Sequence, residues 1–393
     1  MTELNQSNLT SRVVSAGMVD DWSHLLPGPD RSAFLESCTE AKLDDGSVQT
    51  VLGRYFSTWK TSLMAGDLSR LQMLATCVQI REYIKVICVE DDSDEFEESL
   101  PSESSVIWPR HEDGRVTSEA LGIGLLKSML ATKQLRPERL EIKDKRTPRA
   151  PSDPEIAALL ARTILDGADL AITAFSMRKE SPMTTIIAAE LSPEYQGRGK
   201  GLSILRKAEL CLNQNLNSYW ADQILFNAPS LKELSLSFWQ PHNMPRTTPL
   251  ILENTTLPEL EKLELSMATI SVQSIMALLS KSEQSLTSIS FRLTILVNNS
   301  TWSELLSRIS NEFPHLVWFK LTHLSEGPIG KSQVTFPGLD QDSVVGSSYM
   351  NGLKLLQKGP TGNKRIPGVE YGGPDANHVL RIAAKCAVTT SVP

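Results

Sequence analysis

One short apolar phrase, spoken four times, constrains this chain more than any other feature. The copies read PSLKELSL (229–236), PELEKLEL (258–265), QSLTSISF (284–291) and PHLVWFKL (314–321). Each carries an apolar residue, two free positions, an apolar residue, one free position and a last apolar residue. These are Leu231/Leu234/Leu236, Leu260/Leu263/Leu265, Leu286/Ile289/Phe291 and Leu316/Phe319/Leu321. The leading leucines stand 29, 26 and 30 residues apart. The alternating half of the phrase suits a strand with one buried face, and amphipathic runs at 220–226, 270–279 and 302–313 predict helices between copies. A lone strand and helix cannot bury their own apolar faces, so such units must stack on one another.

The spacing lies in the range of leucine-rich repeats. The expected fold class is α/β: an irregular leucine-rich-repeat solenoid, a curved parallel sheet with outer helices, preceded by a helical N-terminal region. Weaker copies of the phrase occur at Leu140/Ile142, at Ile172/Phe175/Met177 and within 202–212, with helices expected at 121–130 and 156–165. That predicts six or seven units between residues 80 and 325.

The flanks read differently. Residues 1 to 33 are polar and turn-rich, with Pro27-Gly28-Pro29 as a breaker. Helical spacing runs through 47–64, a second helix is expected over 67–77, and Tyr83 to Val89 reads as the first strand. The acidic run 90–98 lacks the ligand spacing and glycine turn of a calcium loop and reads as a solvated loop. Residues 325–365 read as loop or partial disorder, 368–371 as a strand and 377–386 as a short helix. The expected division is a helical N-terminal region (1–80), the solenoid (81–325) and a loop-rich C-terminal segment (326–393).

With 393 residues, 40% of them hydrophobic and 22% charged, the chain can bury a large core beneath an ordinary polar surface. A net charge of −7 disfavours nucleic acid and anionic membranes as general partners. The five cysteines are scattered without a CxxC, and neither a signal peptide nor an apolar run near eighteen residues is seen, so the expected location is cytoplasmic or nuclear.

Two glycine-rich stretches bear on possible chemistry. Gln196-Gly197-Arg198-Gly199-Lys200-Gly201 is similar to the pyrophosphate loop of the CoA-dependent N-acetyltransferases, where backbone amides at a helix N-terminus hold phosphate. Ser325 to Ser332 (SEGPIGKS) misses a P-loop, because serine replaces the first glycine and Pro337-Gly338 interrupts the helix that should follow. The six histidines are dispersed, without metal spacing. No catalytic residue, cofactor or metal is expected, and the chain is read as a non-enzyme.

Taken with the repeats, three further segments carry a resemblance. RYFSTWKTSL, DLSRLQMLATCVQIREYIKVICVEDD and the terminal GVEYGGPDANHVLRIAAK are similar to segments of the F-box/leucine-rich-repeat proteins of filamentous fungi. The resemblance covers roughly 47–325 and 366–386. It implies a receptor that docks a Skp-type adaptor and cullin through an F-box and holds a protein target on its repeats for ubiquitination. The F-box opening, LPxEI, is not matched: Leu25-Leu26-Pro27 is followed by Gly28-Pro29-Asp30. A stand-alone repeat scaffold without ligase partners is the first alternative, and an acetyltransferase using residues 196–201 the second.

The frame also selects a face. With the inner apolar residues in the core, the residues between and beside them form a stripe on the concave side. It comprises Glu233, Ser235 and Ser237; Lys262, Glu264 and Ser266; Ser288, Ser290 and Arg292; and Trp318, Lys320 and Thr322. Within it Lys262, Glu264, Arg292, Trp318, Lys320 and Thr322 are the expected partner contacts. Trp318 and Arg292 lead, being residue types enriched at binding hot spots. The competing expectation is that Trp318 lies under the 325–365 segment.

Overall fold

The computed structural model describes residues 16–26, 28–41, 45–61, 65–91, 121–132, 134–144, 170–179, 200–213, 225–239, 257–327, 332–339, 349–356 and 367–391. It is a mixed α/β structure built on a large, mostly parallel sheet, with a helical N-terminal region. Nine parallel strands lie side by side in chain order: β1 (Thr58–Thr61), β2 (Val86–Asp91), β3 (Arg139–Asp144), β4 (Ala174–Lys179), β5 (Lys207–Asn213), β6 (Glu233–Trp239), β7 (Lys262–Ser266), β9 (Ser288–Arg292) and β11 (Trp318–Thr322). Two antiparallel strands complete this sheet, β15 (Gly368–Gly372) beside β11 and β14 (Leu353–Leu356) beside β15.

The register repeats from strand to strand. Leu140, Phe175, Ala208, Leu234, Leu263, Ile289 and Phe319 are successive partners, and two residues on Ile142, Met177, Leu210, Leu236, Leu265, Phe291 and Leu321 form a second row. Both rows are buried. One carbonyl just ahead of each strand accepts two consecutive amides of the next unit. Ser57 O does so from Lys85 and Val86, Thr173 O from Arg206 and Lys207, and Thr287 O from Val317 and Trp318. Period-two burial and a repeated ladder are what the LxL phrase requires of a one-faced strand.

The last three units add a further device. After β7, β9 and β11 the chain turns through Met267 (φ 57°), Leu293 (φ 50°) and His323 (φ 51°), all left-handed and none glycine. Each turn leads into a two-residue strand: β8 (Thr269–Ile270), β10 (Ile295–Leu296) and β12 (Ser325–Glu326). With β13 (Ser332–Thr335) and β16 (Val388–Ser391) these make a second, five-stranded sheet.

Helices close the units. Ser271 caps α7 (Val272–Leu279) by accepting from Ser274 N, and Thr301 caps α8 (Trp302–Glu312) by accepting from Glu304 N. Trp302 meets Phe291 edge-on at 5.3 Å, and its ring N–H donates to Ser325 O at 2.8 Å. Helix α9 (Ala376–Cys386) packs on α8, with Asn377 Nδ2 donating to Phe313 O at 2.9 Å.

Several expectations need correction. The first thirty-three residues are not merely turns, since they hold α1 (Ala16–Ser23) and the start of α2 (Gly28–Glu40). A Pro-Gly-Pro run at a helix start is compatible with the first turn, where an amide proton has no partner to lose. The helix expected over 47–64 ends as α3 (Asp45–Phe56), and Trp59 belongs to β1. Pairing with β2 overrides the helical spacing there, because Trp59 and Thr61 alternate into the core. The first strand is therefore β1 rather than 83–89. Among the described residues eight parallel strands fall between 80 and 325, against the six or seven units expected. The 325–365 segment contains β12, β13 and β14. The helix expected at 156–165 and the acidic run 92–98 lie outside the described residues.

The N-terminal helices join the sheet through aromatic packing. Phe34 meets Tyr55 and Phe56 edge-on, and Phe56 stacks on Trp59 at 6.2 Å with the rings 4° apart. Helices α4 (Ala65–Thr76), α5 (Val78–Arg81) and α6 (Leu121–Ala131) sit among the first units, burying Leu68, Leu71, Leu74, Ile80 and Leu126. No described helix is long and apolar enough to cross a membrane.

Candidate functional site: a charged groove along the main sheet

The face opposite the buried rows is polar, because the intervening residues of every strand point there. Across β5 to β11 it forms a groove of about 760 Å³, lined by Lys207, Glu209, Glu233, Ser235, Lys262, Glu264, Ser288, Ser290, Trp318 and Lys320. Lys262 and Glu264 are exposed, and Trp318 and Lys320 are half-buried.

Most charges on this face are paired with each other across strands. Lys60 and Lys143 both reach Glu90, at 3.8 and 3.3 Å. Arg139 Nε lies 2.8 Å from Glu141, off the line of its N–H bond, and the guanidinium reaches Glu209 at 3.8 Å. Lys207 bridges Glu209 (3.0 Å) and Glu233 (3.5 Å), and Lys262 closes the series on Glu233 at 2.9 Å. Ser176 on β4 donates to Glu209 at 3.2 Å, carrying the network over a strand with no described charge.

The titration shifts follow this pairing. The Glu233 carboxyl is held below its ordinary value, first by the Lys262 hydrogen bond, against the opposing effect of burial. Lys207 is held above its ordinary value, first by its hydrogen bond to Glu209. Burial pushes the Cys88 thiol up to about 12, with Glu90 and Glu141 adding to the rise and Lys143 opposing it. Such a thiol is a poor nucleophile, since only the thiolate attacks.

The C-terminal end of the face has a different character. Trp318 lies between Ser288 and Gly372, and a Cβ added at Gly372 would stand 3.4 Å from Trp318 Cδ1. The flanking strand is β15; residues 328–331, 340–348 and 357–365 of the segment expected to cover Trp318 lie outside the described residues. Lys320 contacts Glu370 at 3.3 Å and Lys354 contacts it at 3.4 Å. Burial raises the Glu370 pKa, but the two lysines together hold it below its ordinary value. Arg292 is exposed, and its guanidinium makes no hydrogen bond or ion pair to a described residue.

The structure brings the six expected contacts onto one face, with differing accessibility. Lys262, Glu264 and Arg292 are exposed, while Trp318 and Lys320 are half-buried. Thr322 is corrected as a surface contact. It is 9% exposed, with its hydroxyl unpartnered, because Gly368 of β15 packs directly against it. Ser266 is likewise buried. Sequence reasoning missed the carboxylate that Lys320 meets, Glu370, and the further lysine, Lys354. Their positions depend on a hairpin returning antiparallel to β11, and nothing in the repeat frame signals that return.

Gln196 to Gly199 lie outside the described residues. The segment continuing from them is a 3₁₀ turn (Lys200–Ile204) leading straight into β5. SEGPIGKS starts in β12 and ends in β13, the two arms of an antiparallel pair.

No family model matches this chain, and no curated protein matches it.

Proposed function

We propose that this chain is a non-enzymatic, protein-binding leucine-rich-repeat protein acting as a substrate receptor of an SCF-type ubiquitin ligase. The observation that carries the binding reading is the groove: nine parallel strands in chain order and common register, with an open polar face that ends at Trp318 and Lys320 and has Arg292 exposed on the neighbouring strand. In this reading the sheet is the concave wall of a curved solenoid, and the helices and second sheet are its outer side. Sequence-ordered stacking with nearest-neighbour contacts is how repeat proteins build extended binding surfaces. A target protein would lie along the groove, using Trp318 and Arg292 as anchors.

The adaptor-docking half of the proposal rests on α1 to α3. These helices form a small packed module burying Trp22, Leu25, Leu26, Phe34, Val48, Leu52 and Phe56. The resemblance assigns this position to a helical module that docks a Skp-type adaptor. The mismatch after Pro27 favours a second reading, a stand-alone repeat scaffold without ligase partners.

A pull-down of the full-length protein from eukaryotic cells, probed for the Skp adaptor and cullin, tests the choice. Recovery of both, lost on Leu25→Asp/Leu26→Asp in a variant whose sheet still melts cooperatively, supports the receptor. Recovery of partners that depend on Trp318 but include neither adaptor nor cullin supports the scaffold and overturns the ligase role.

A further inference from the structure

Charge is distributed unevenly along the polar face. On β1 to β7 the described side chains carry five cations (Lys60, Arg139, Lys143, Lys207, Lys262) and five carboxylates (Glu90, Glu141, Glu209, Glu233, Glu264). On the last four strands of this sheet, β9, β11, β15 and β14, they carry three cations, Arg292, Lys320 and Lys354, against the single carboxylate Glu370. Among the described side chains the face is thus balanced from β1 to β7 and positive at its other end, on a chain whose net charge is −7. A positive end on a negative protein is not a consequence of composition.

We infer that this end of the sheet recognises an acidic, extended segment of a partner protein. The inference rests on the protein-binding reading above and adds the chemical class of the segment. Lys320 and Lys354 share one carboxylate, so together with Arg292 they leave two positive charges uncompensated. Arg292 presents a fork that pairs bidentately with carboxylates. Trp318 supplies a half-buried aromatic surface beside Gly372, where no side chain stands in the way. Ser288, half-buried beside Trp318, offers a hydroxyl to the groove. Glu264, the nearest carboxylate on β7, repels an acidic segment that strays toward the neutral half.

The test uses full-length protein and fluorescence anisotropy. The probe is a labelled dodecapeptide of alternating Glu and Tyr; the comparators are its Gln/Tyr counterpart and a labelled oligothymidylate of equal length. The acidic peptide should bind about tenfold or more tightly than the neutral one, and should weaken from about 50 to about 300 mM salt. Arg292→Glu and Lys354→Glu should each weaken it about tenfold, Glu264→Gln should strengthen it, and Lys60→Ser should change nothing. Arg292→Glu should melt with the parent, and Lys354→Glu, which loses a largely exposed pair with Glu370, should melt only slightly lower by circular dichroism. Equal binding of the neutral peptide, or indifference to both charge reversals, overturns the inference. Oligothymidylate binding as tight as that of the acidic peptide overturns it too, since the end would then be a general anion surface. If the peptide fails while a partner is still recovered through Trp318, the acidic class is wrong and the protein-binding reading stands.

Discussion

Leu263 on β7 stands directly beside Ile289 on β9, and both side chains are essentially removed from solvent. The same row continues from Leu234 on one side to Phe319 on the other. One substitution therefore reads the whole register. Leu263→Ala should lower unfolding stability by about 2–5 kcal/mol, the cost of a cavity among neighbours that cannot fully collapse. The denaturant midpoint measures it, and a variant that unfolds like the parent would mean the row is not a packed core.

That row was legible in the sequence because its signal is local: each copy of the phrase carries its own period, and stacking does the rest. The weaker copies at Leu140/Ile142 and Phe175/Met177 were legible for the same reason. Trp59 was not. Its helical spacing from Tyr55 and Phe56 is real, and only pairing with Val86 to Val89 converts it to a strand. The end of the site was half legible. Trp318 and Arg292 follow from the frame, whereas Glu370 and Lys354 arrive from strands that do not repeat. Thr322 failed as a surface residue because the frame is blind to the strand packed beside it.

The left-handed turns at Met267, Leu293 and His323 carry a conformational cost that residues with a Cβ rarely bear. Met267 is 38% exposed, so its side chain contributes little packing. Met267→Asn should be neutral or stabilising by up to about 1 kcal/mol, because asparagine tolerates this region. Met267→Val should cost about 1 kcal/mol or more, since β-branching makes positive φ a steric outlier. In thermal melts the asparagine variant should unfold no lower than the parent and the valine variant below it. Equal melts would show that the turn is not held at positive φ.

The ion-pair series gives stability a defined pH window. Glu233 has a folded pKa below its unfolded value, so its contribution is present above the unfolded value and lost as pH falls through the folded one. Lys207 has a raised folded pKa, so its contribution is present below its unfolded value and lost as pH rises through the raised one. Cys88 adds to the alkaline side. Its thiol ionises near 9 when unfolded and only at about 12 when folded, so alkaline pH favours the unfolded chain across that interval. The melting temperature should hold between the ordinary carboxylate range and about pH 9 and fall on both sides. Glu233→Gln should reduce the acid-side slope while costing less than about 1 kcal/mol at neutral pH, because the pairs are partly exposed. An unchanged acid limb would remove Glu233 from the series.

The junction between β11 and β15 is where the parallel stack ends, and two glycines of one strand make opposite predictions there. A Cβ at Gly368 would stand 2.6 Å from Leu321 O and 3.2 Å from the Thr322 Cα, both backbone atoms that cannot rotate away. A Cβ at Gly372 would meet only Trp318 Cδ1, at 3.4 Å, an ordinary contact. Gly368→Ala should therefore pry β15 from β11 at a cost of about 1–3 kcal/mol, while Gly372→Ala should melt close to the parent. Phe319 stacks on Tyr371 at 6.0 Å across the same junction, so loosening it uncovers core as well as backbone. A strand edge bared in this way is a template for pairing with another chain. Gly368→Ala should accordingly show a concentration-dependent shift to larger species in size-exclusion chromatography, and Gly372→Ala should not. Two variants with the same melt and the same elution would mean that β15 is not held against β11 in this register.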